Sequence, residues 1–160
     1  MSHHIIEATD LHYTYPDGTK GIRGISFRIT HGESVAIVGA NGAGKSTLLQ
    51  HLNGYLMPTQ GDLRIGDYPL TRKNVKAVRR TVGMVFQDPD DQLFMPTVFD
   101  DVAFGPLNLG LAPELVETYV MQALETVGVP HLRKRPPYKL SGGEKRSVAI
   151  ASVLSMSPNI

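Results

Sequence analysis

The spacing of apolar and polar positions changes several times along the chain, and each change marks a predicted element. Ile5 to Thr9 and Ile25 to Ile29 read as strands on either side of Pro16-Asp17-Gly18, a combination suited to a tight turn, so an antiparallel sheet is expected at the start. Ser34 to Val38 is an apolar run without alternation, which predicts a strand covered on both faces, and a glycine-rich turn follows it at once. A helix should then begin near Lys45. Leu63 to Ile65 predicts a short strand, Asn74 to Arg80 a short helix and Val82 to Phe86 a second buried strand. This interleaving predicts an α/β sheet. Past Gln87 the pattern turns helical, at Val98 to Phe104 and Pro113 to Val127, after a polar stretch from Asp88 to Asp91. Pro136-Pro137 breaks the chain before a last helix from about Gly143 to Ser155, whose Val148, Ile150, Ala151 and Leu154 are helically spaced.

Composition narrows the picture mainly by exclusion. The 160 residues, 41% of them hydrophobic, suit an ordinary globular protein, with one domain as the starting assumption. Sixteen basic and fifteen acidic residues nearly cancel, and the basic patches Arg72-Lys73, Arg79-Arg80 and Arg133-Lys134-Arg135 are short and scattered, so nucleic acid is not the expected partner. The absence of cysteine removes disulfides and thiolate metal sites and is compatible with the cytoplasm. Met1-Ser2-His3-His4 has neither the basic stretch nor the apolar segment of an export signal. No apolar run reaches the ~20 residues of a membrane span, so membrane association is expected through a partner. His3 and His4 are read as without function.

Two constellations carry chemistry. Gly39-Ala40-Asn41-Gly42-Ala43-Gly44-Lys45-Ser46 matches the P-loop pattern G-x-x-x-x-G-K-[ST] and lies between a predicted strand and a predicted helix, as its mechanism requires. Glycines let successive N–H groups curl around phosphate oxygens, and the helix start adds its positive dipole end. ATP and Mg²⁺ are the expected cofactors, with Lys45 reaching the β and γ phosphates, Ser46 offering its hydroxyl to Mg²⁺ and Thr47 supporting the α-phosphate side. The second constellation is Leu140-Ser141-Gly142-Gly143-Glu144. Ser141 and Glu144 form a capping box, but two glycines in a first turn weaken a helix by about 1 kcal/mol each relative to alanine. Something must approach that backbone closely. Since the P-loop already holds one nucleotide, the simplest occupant is the ATP of a second molecule.

With both motifs in this order, the chain resembles the ATP-binding subunits of ABC transporters, whose Walker A and LSGGE-type signature motifs match residues 39–46 and 140–144. The resemblance implies a P-loop NTPase core of RecA-like α/β type with an antiparallel β part and an ABC helical subdomain. It implies head-to-tail pairing with a second ATP-binding subunit, so that Ser141, Gly142 and Gly143, with Glu144 in the same motif, close over the partner's γ-phosphate. It makes Gln87 the glutamine that ligates Mg²⁺ and relays nucleotide state, a catalytic role shared with Lys45, and it makes Tyr15 the aromatic that stacks on adenine. Gln87-Asp88-Pro89-Asp90-Asp91-Gln92-Leu93-Phe94 and Val102-Ala103-Phe104-Gly105-Pro106-Leu107-Asn108 further resemble the ATPases of energy-coupling-factor importers of the cobalt and nickel type. Those work with a transmembrane coupling subunit and a substrate-binding membrane subunit on the cytoplasmic face of a prokaryotic membrane. Cobalt or nickel is then the expected cargo, with a vitamin as the alternative. Asp88, Asp90 and Asp91 are read as a solvated acidic run and not as a cation site.

By the same resemblance, the domain is expected to be partial. Residues 1–87 would form the nucleotide-binding core, 88–155 the helical subdomain, and 156–160 the start of a strand that would lead to the Walker B carboxylates. Without those groups and the switch histidine, the 160 residues alone are expected to bind nucleotide without hydrolysing it, and to fold poorly because a sheet edge is left open. A soluble ABC protein of the repair or translation type would carry coiled-coil or zinc insertions, which are absent. A small-molecule P-loop kinase would not explain residues 140–144. A nucleotide-binding module without catalysis is separated from the transport ATPase by measuring activity.

Overall fold

The computed structural model describes residues 4–160, so Met1, Ser2 and His3, and the side chains of His4 and Ile5, lie outside the described residues. The chain divides into two compact units, one running to Val82 and including Ile160, the other Gly83–Asn159.

The first unit is built on an antiparallel hairpin. Strands β1 (His4–Thr14) and β2 (Lys20–Thr30) are joined by the expected turn, in which Asp17 accepts the Thr19 N–H at 2.9 Å and the Gly18 N–H donates to the Tyr15 carbonyl at 2.9 Å. Both strands outrun their apolar patterns because a β-bulge changes the phase of β1. Ile6 and Ala8 face the core, Asp10 takes a left-handed φ of 47°, and beyond it Leu11 and Tyr13 point inward instead of even-numbered residues. Strand β3 (Gln60–Ile65) lies on the other side of β1, and its Gly61, at φ 79°, passes so close to the Asp10 carbonyl that a Cβ would collide with it. A short strand β4 (Tyr68–Pro69) completes the order β2-β1-β3-β4. Helix α1 (Lys45–Leu52) packs Leu48 and Leu52 into the core with Ile6, Leu11, Ile22, Leu63 and Ile65, and α2 (Val75–Thr81) adds Val78. Each large aliphatic side chain buried this way contributes about 1.5–3 kcal/mol, which is why the phase of β1 matters.

Two expected strands are not strands. Ser34 to Val38 and Val82 to Phe86 make no ladder with any strand among the described residues. Val35 and Val38 are 57% and 87% exposed, and Val85 and Phe86 about as open as Ile37. The physical reason is that a doubly covered strand is defined by its neighbours: β-branched composition favours extended backbone, but only a paired partner makes a ladder of it. The helix beginning at Lys45, the short helix near residue 75 and the strand at 63–65 all form, within a residue or a few of the expected bounds.

The second unit is helical. Helix α3 (Val98–Asn108), α4 (Pro113–Thr126) and α5 (Gly142–Leu154) enclose a core of Val98, Val102, Val116, Val120, Leu124 and Val148. Thr97 caps α3 by accepting the Asp100 N–H at 3.2 Å, and Pro113 opens α4, where its missing N–H costs nothing. Asp101 is buried, and its Oδ1 accepts the Phe94 and Met95 N–H groups at 3.0 and 3.1 Å, fastening the turn before α3. Burial pushes its pKa up, against the lowering effect of those two bonds. Helix α3 runs past the expected end at Phe104 and through Pro106. A proline there leaves the carbonyl four residues back without its helical donor. That carbonyl belongs to Val102, and the buried Ser155 hydroxyl donates to it at 2.8 Å.

Candidate functional site

The first unit carries the P-loop. Gly42 and Gly44 take φ values of 78° and 91°, left-handed angles that glycine alone adopts freely. Gly44 serves as the N-cap of α1 with no side-chain cap, and the first helical bond is the Leu48 N–H to the Gly44 carbonyl at 2.9 Å. The amides of Lys45, Ser46 and Thr47 therefore have no acceptor within the helix, and the helix dipole adds partial positive charge where they point. Lys45 Nζ donates to the carbonyls of Gly39 at 2.9 Å and Ala40 at 2.8 Å, which curls its ammonium back over the loop and leaves one of three N–H donors beyond these bonds. Asn41, Ala43 and the exposed Ser46 complete the loop. Free amides, a cation and a hydroxyl on one glycine-shaped turn suit a polyphosphate.

Tyr15 stands beside this loop. Its hydroxyl and the Thr47 hydroxyl are 2.8 Å apart, and its ring meets Tyr13 at 4.8 Å with the planes at 81°. Gly21 of β2 explains how the hairpin fits against the loop. A Cβ on Gly44 would strike the Gly21 carbonyl, and one on Gly21 would lie 2.8 Å from Tyr15 Cε2. Below them His51 is fully buried on α1, with Nδ1 2.7 Å from the Thr47 carbonyl and its ring 4.8 Å from Tyr13. Burial lowers the His51 pKa, outweighing the carbonyls of Thr47 and Met57, so the ring is neutral and Nδ1 donates. Gly21, Tyr13 and His51 were not among the residues picked from sequence. No local signal marks them, because Gly21 lies outside the strand expected at Ile25 to Ile29, where a glycine would have pointed to close backbone approach.

The second unit carries the other predicted residues. Gln87 is exposed in a bend directly before a short 3-10 turn, Pro89–Asp91, which Asp88 caps by accepting the Asp90 N–H at 3.0 Å. Gln92, not singled out from sequence, braces this segment. Its Oε1 accepts the Phe86 N–H at 3.0 Å, and its Nε2 donates to the Ala149 carbonyl at 2.8 Å and the Ser152 hydroxyl at 2.9 Å. Lys145 adds an ion pair with Asp90 at 2.6 Å, so two links tie residues 86–92 to α5. At the start of α5 the capping box is complete: the Ser141 hydroxyl accepts the Glu144 N–H at 3.3 Å and Glu144 Oε2 accepts the Ser141 N–H at 2.7 Å. The bond from Ser141 N–H, and then the hydroxyl, hold the Glu144 pKa low. Gly142 and Gly143 have no positive φ and no atom within 4 Å of where a Cβ would stand, so nothing in this fold requires glycine there.

No group of three or more His, Cys, Asp or Glu side chains able to hold a metal ion occurs among the described residues. A divalent cation at the P-loop would rely on the Ser46 hydroxyl and on oxygens of the bound phosphates, which fits Mg²⁺, an ion that keeps waters and needs few protein ligands.

The family model for ABC transporters matches residues 22–160. A protein of Geobacter sulfurreducens named as an ABC transporter ATP-binding protein is 75% identical over 160 residues, covering 100% of this chain and 64% of its own length. The energy-coupling factor transporter ATP-binding protein of Methanocaldococcus jannaschii is 52% identical over 159 residues, covering 98% of this chain and 57% of its own. The solved structure of cbiO1 from Clostridium perfringens, part of the ABC transporter complex cbiONQ, superposes with a TM-score of 0.86 at 43% identity over 98% of this chain and 63% of that one. The chain thus spans about three fifths of the length of the proteins it matches.

Proposed function

The chain belongs to the ABC transporter family, with that family's α/β P-loop fold, antiparallel sheet and helical subdomain, and we propose that it is the ATP-binding part of an importer subunit. That subunit couples ATP binding and hydrolysis to uptake of a transition-metal ion, cobalt or nickel, through an energy-coupling-factor complex. The observation that carries the reading is the uncapped start of α1 behind left-handed Gly42 and Gly44, with Lys45 folded over it. Residues 39–47 bind the phosphates, Lys45 lowers the barrier by meeting charge on the β and γ phosphates, Ser46 and Gln87 hold Mg²⁺, and Tyr15 stacks on adenine. Mg²⁺ supplies neutralisation of the phosphate charge. In this reading residues 1–87 act as the nucleotide-binding core and 88–155 as the helical subdomain.

Ser141, Gly142 and Gly143 serve the ATP of a second ATP-binding subunit in a head-to-tail pair, supported by glycines that the fold itself leaves unexplained. A transmembrane coupling subunit and a substrate-binding membrane subunit complete the complex. No helix among the described residues is long and apolar enough to cross a membrane, and attachment to the cytoplasmic face through those partners accords with this. Phe94 and Phe104, exposed and edge to face at 5.0 Å, offer apolar surface to such a partner. No nucleic acid enters the scheme.

The test is phosphate release by the full natural chain with ATP and Mg²⁺, comparing Lys45→Ala, Ser141→Arg and their mixture. Each variant alone is expected to be inactive, and the mixture to recover activity, because one intact composite site can form. Full activity of Ser141→Arg alone would falsify the paired site.

A further inference from the structure

Tyr15 sits just past the end of β1, followed by exposed residues 16–19 of the turn, so its orientation has to come from contacts and not from enclosure. The hydroxyl contact with Thr47 fixes only the tip of the ring. A phenol held at its para position still rotates about the axis through Cβ and the hydroxyl, since χ2 of tyrosine is a broad two-fold torsion. A ring that rotates offers no fixed plane to a flat base, and ordering it on binding would weaken the interaction.

Two neighbours remove that rotation, and a third residue holds one of them. The Tyr13 ring meets Tyr15 at 4.8 Å and 81°. Gly21 closes another side so tightly that a Cβ there would stand 2.8 Å from Tyr15 Cε2, 3.1 Å from Thr47 Cγ2 and 3.3 Å from Tyr13 Cδ1. Tyr13 is itself held from below by the His51 ring at 4.8 Å and 74°, and His51 is fully buried and bonded to the Thr47 carbonyl at 2.7 Å. The anchor of the whole stack is therefore α1, the helix whose start forms the phosphate cradle.

We propose that Tyr13, backed by His51, is a positioning residue for base recognition: it holds the Tyr15 ring in the plane that stacks on the base of the bound nucleotide. The proposal rests on the stacking role assigned to Tyr15 above, and it ties base affinity to the same helix that binds phosphate. It predicts a loss confined to the base. An edge-to-face aromatic contact accounts for about a 2- to 12-fold change in affinity, so removing it should weaken ATP by that factor and leave a base-free polyphosphate untouched.

Dissociation constants of the full natural chain for ATP and for inorganic tripolyphosphate, by titration calorimetry, decide it. Tyr13→Leu is expected to weaken ATP about 2- to 12-fold with tripolyphosphate unchanged, while Tyr13→Phe, which keeps the ring, matches the parent for both. Tyr13→Met, longer and unbranched, carries the same comparison if Tyr13→Leu does not fold, and tripolyphosphate binding reports that the loop is intact. Equal weakening of both ligands would mean a general structural role and overturn the proposal. So would an unchanged ATP affinity in Tyr13→Leu when Tyr15→Leu lowers it. If Tyr15→Leu also leaves ATP unchanged, the stacking role itself is wrong, a distinct result that removes the premise and the proposal together.

Discussion

Pro106 lies inside α3, and the Ser155 hydroxyl answers for the N–H it lacks, which yields a prediction with a built-in control. In the parent protein Ser155→Ala takes the donor 2.8 Å from the Val102 carbonyl and leaves that carbonyl unpaired next to a side chain with no solvent exposure. An unsatisfied buried acceptor costs about 1–3 kcal/mol, so stability should fall by that amount. The hydroxyl is also 3.0 Å from the Ser152 carbonyl, so part of the loss comes from α5 itself. Pro106→Ala separates the two, because the introduced alanine has an amide that can donate to the Val102 carbonyl in the ordinary helical way. Against that background Ser155→Ala should cost less, by about 0.5–1.5 kcal/mol, the value of one net hydrogen bond. Urea denaturation of the four proteins, with m-values unchanged, measures the coupling directly. If Ser155→Ala costs the same in both backgrounds within about 0.3–0.5 kcal/mol, the serine is not the proline's partner.

Gly143→Ala should raise stability by about 0.5–1 kcal/mol, since the helical backbone there has ordinary angles and open space for a methyl group, yet lower phosphate release; thermal unfolding and activity measured together check it, and unchanged activity would remove the argument from the bare glycines. His51, neutral and buried with a lowered pKa, takes up a proton only in the unfolded chain as pH drops below its ordinary 6.5. Its contribution is therefore complete above that pH and is lost progressively as pH falls toward the lowered native value. Denaturation midpoints from pH 8 to pH 5 should decline less steeply in His51→Gln than in the parent, and parallel declines would count against a neutral His51.

The local geometry of residues 39–47 and 140–144 was legible because its physics is short-range. A glycine before the P-loop lysine and a serine three positions before a glutamate act within one turn of backbone, and both appear where expected. The helices of the second unit were legible from spacing, except that α3 was expected to end before Pro106; the Ser155 hydroxyl that rescues it is 53 positions from Val102. Long-range partners hid the rest. Nothing local marks Gln92 as the brace between Phe86 and α5, or Gly21 as the point where β2 meets the P-loop. Ser34 to Val38 and Val82 to Phe86 failed as strands for the same reason, since apolar, β-branched composition specifies extended backbone but not a partner.

The bulge at Asp10 has a consequence for how this chain can change over generations. Point replacement at Asp10 asks for another residue that accepts φ 47°, a demand that asparagine or glycine meets. Deletion of one residue at the same place is a different event, because side chains along a strand alternate and everything downstream would swap sides. Tyr13 and Leu11 would turn outward, and Tyr15 would be carried off with them. Among related sequences, length between Ala8 and Tyr15 should therefore be held more strictly than the identity of any residue within it.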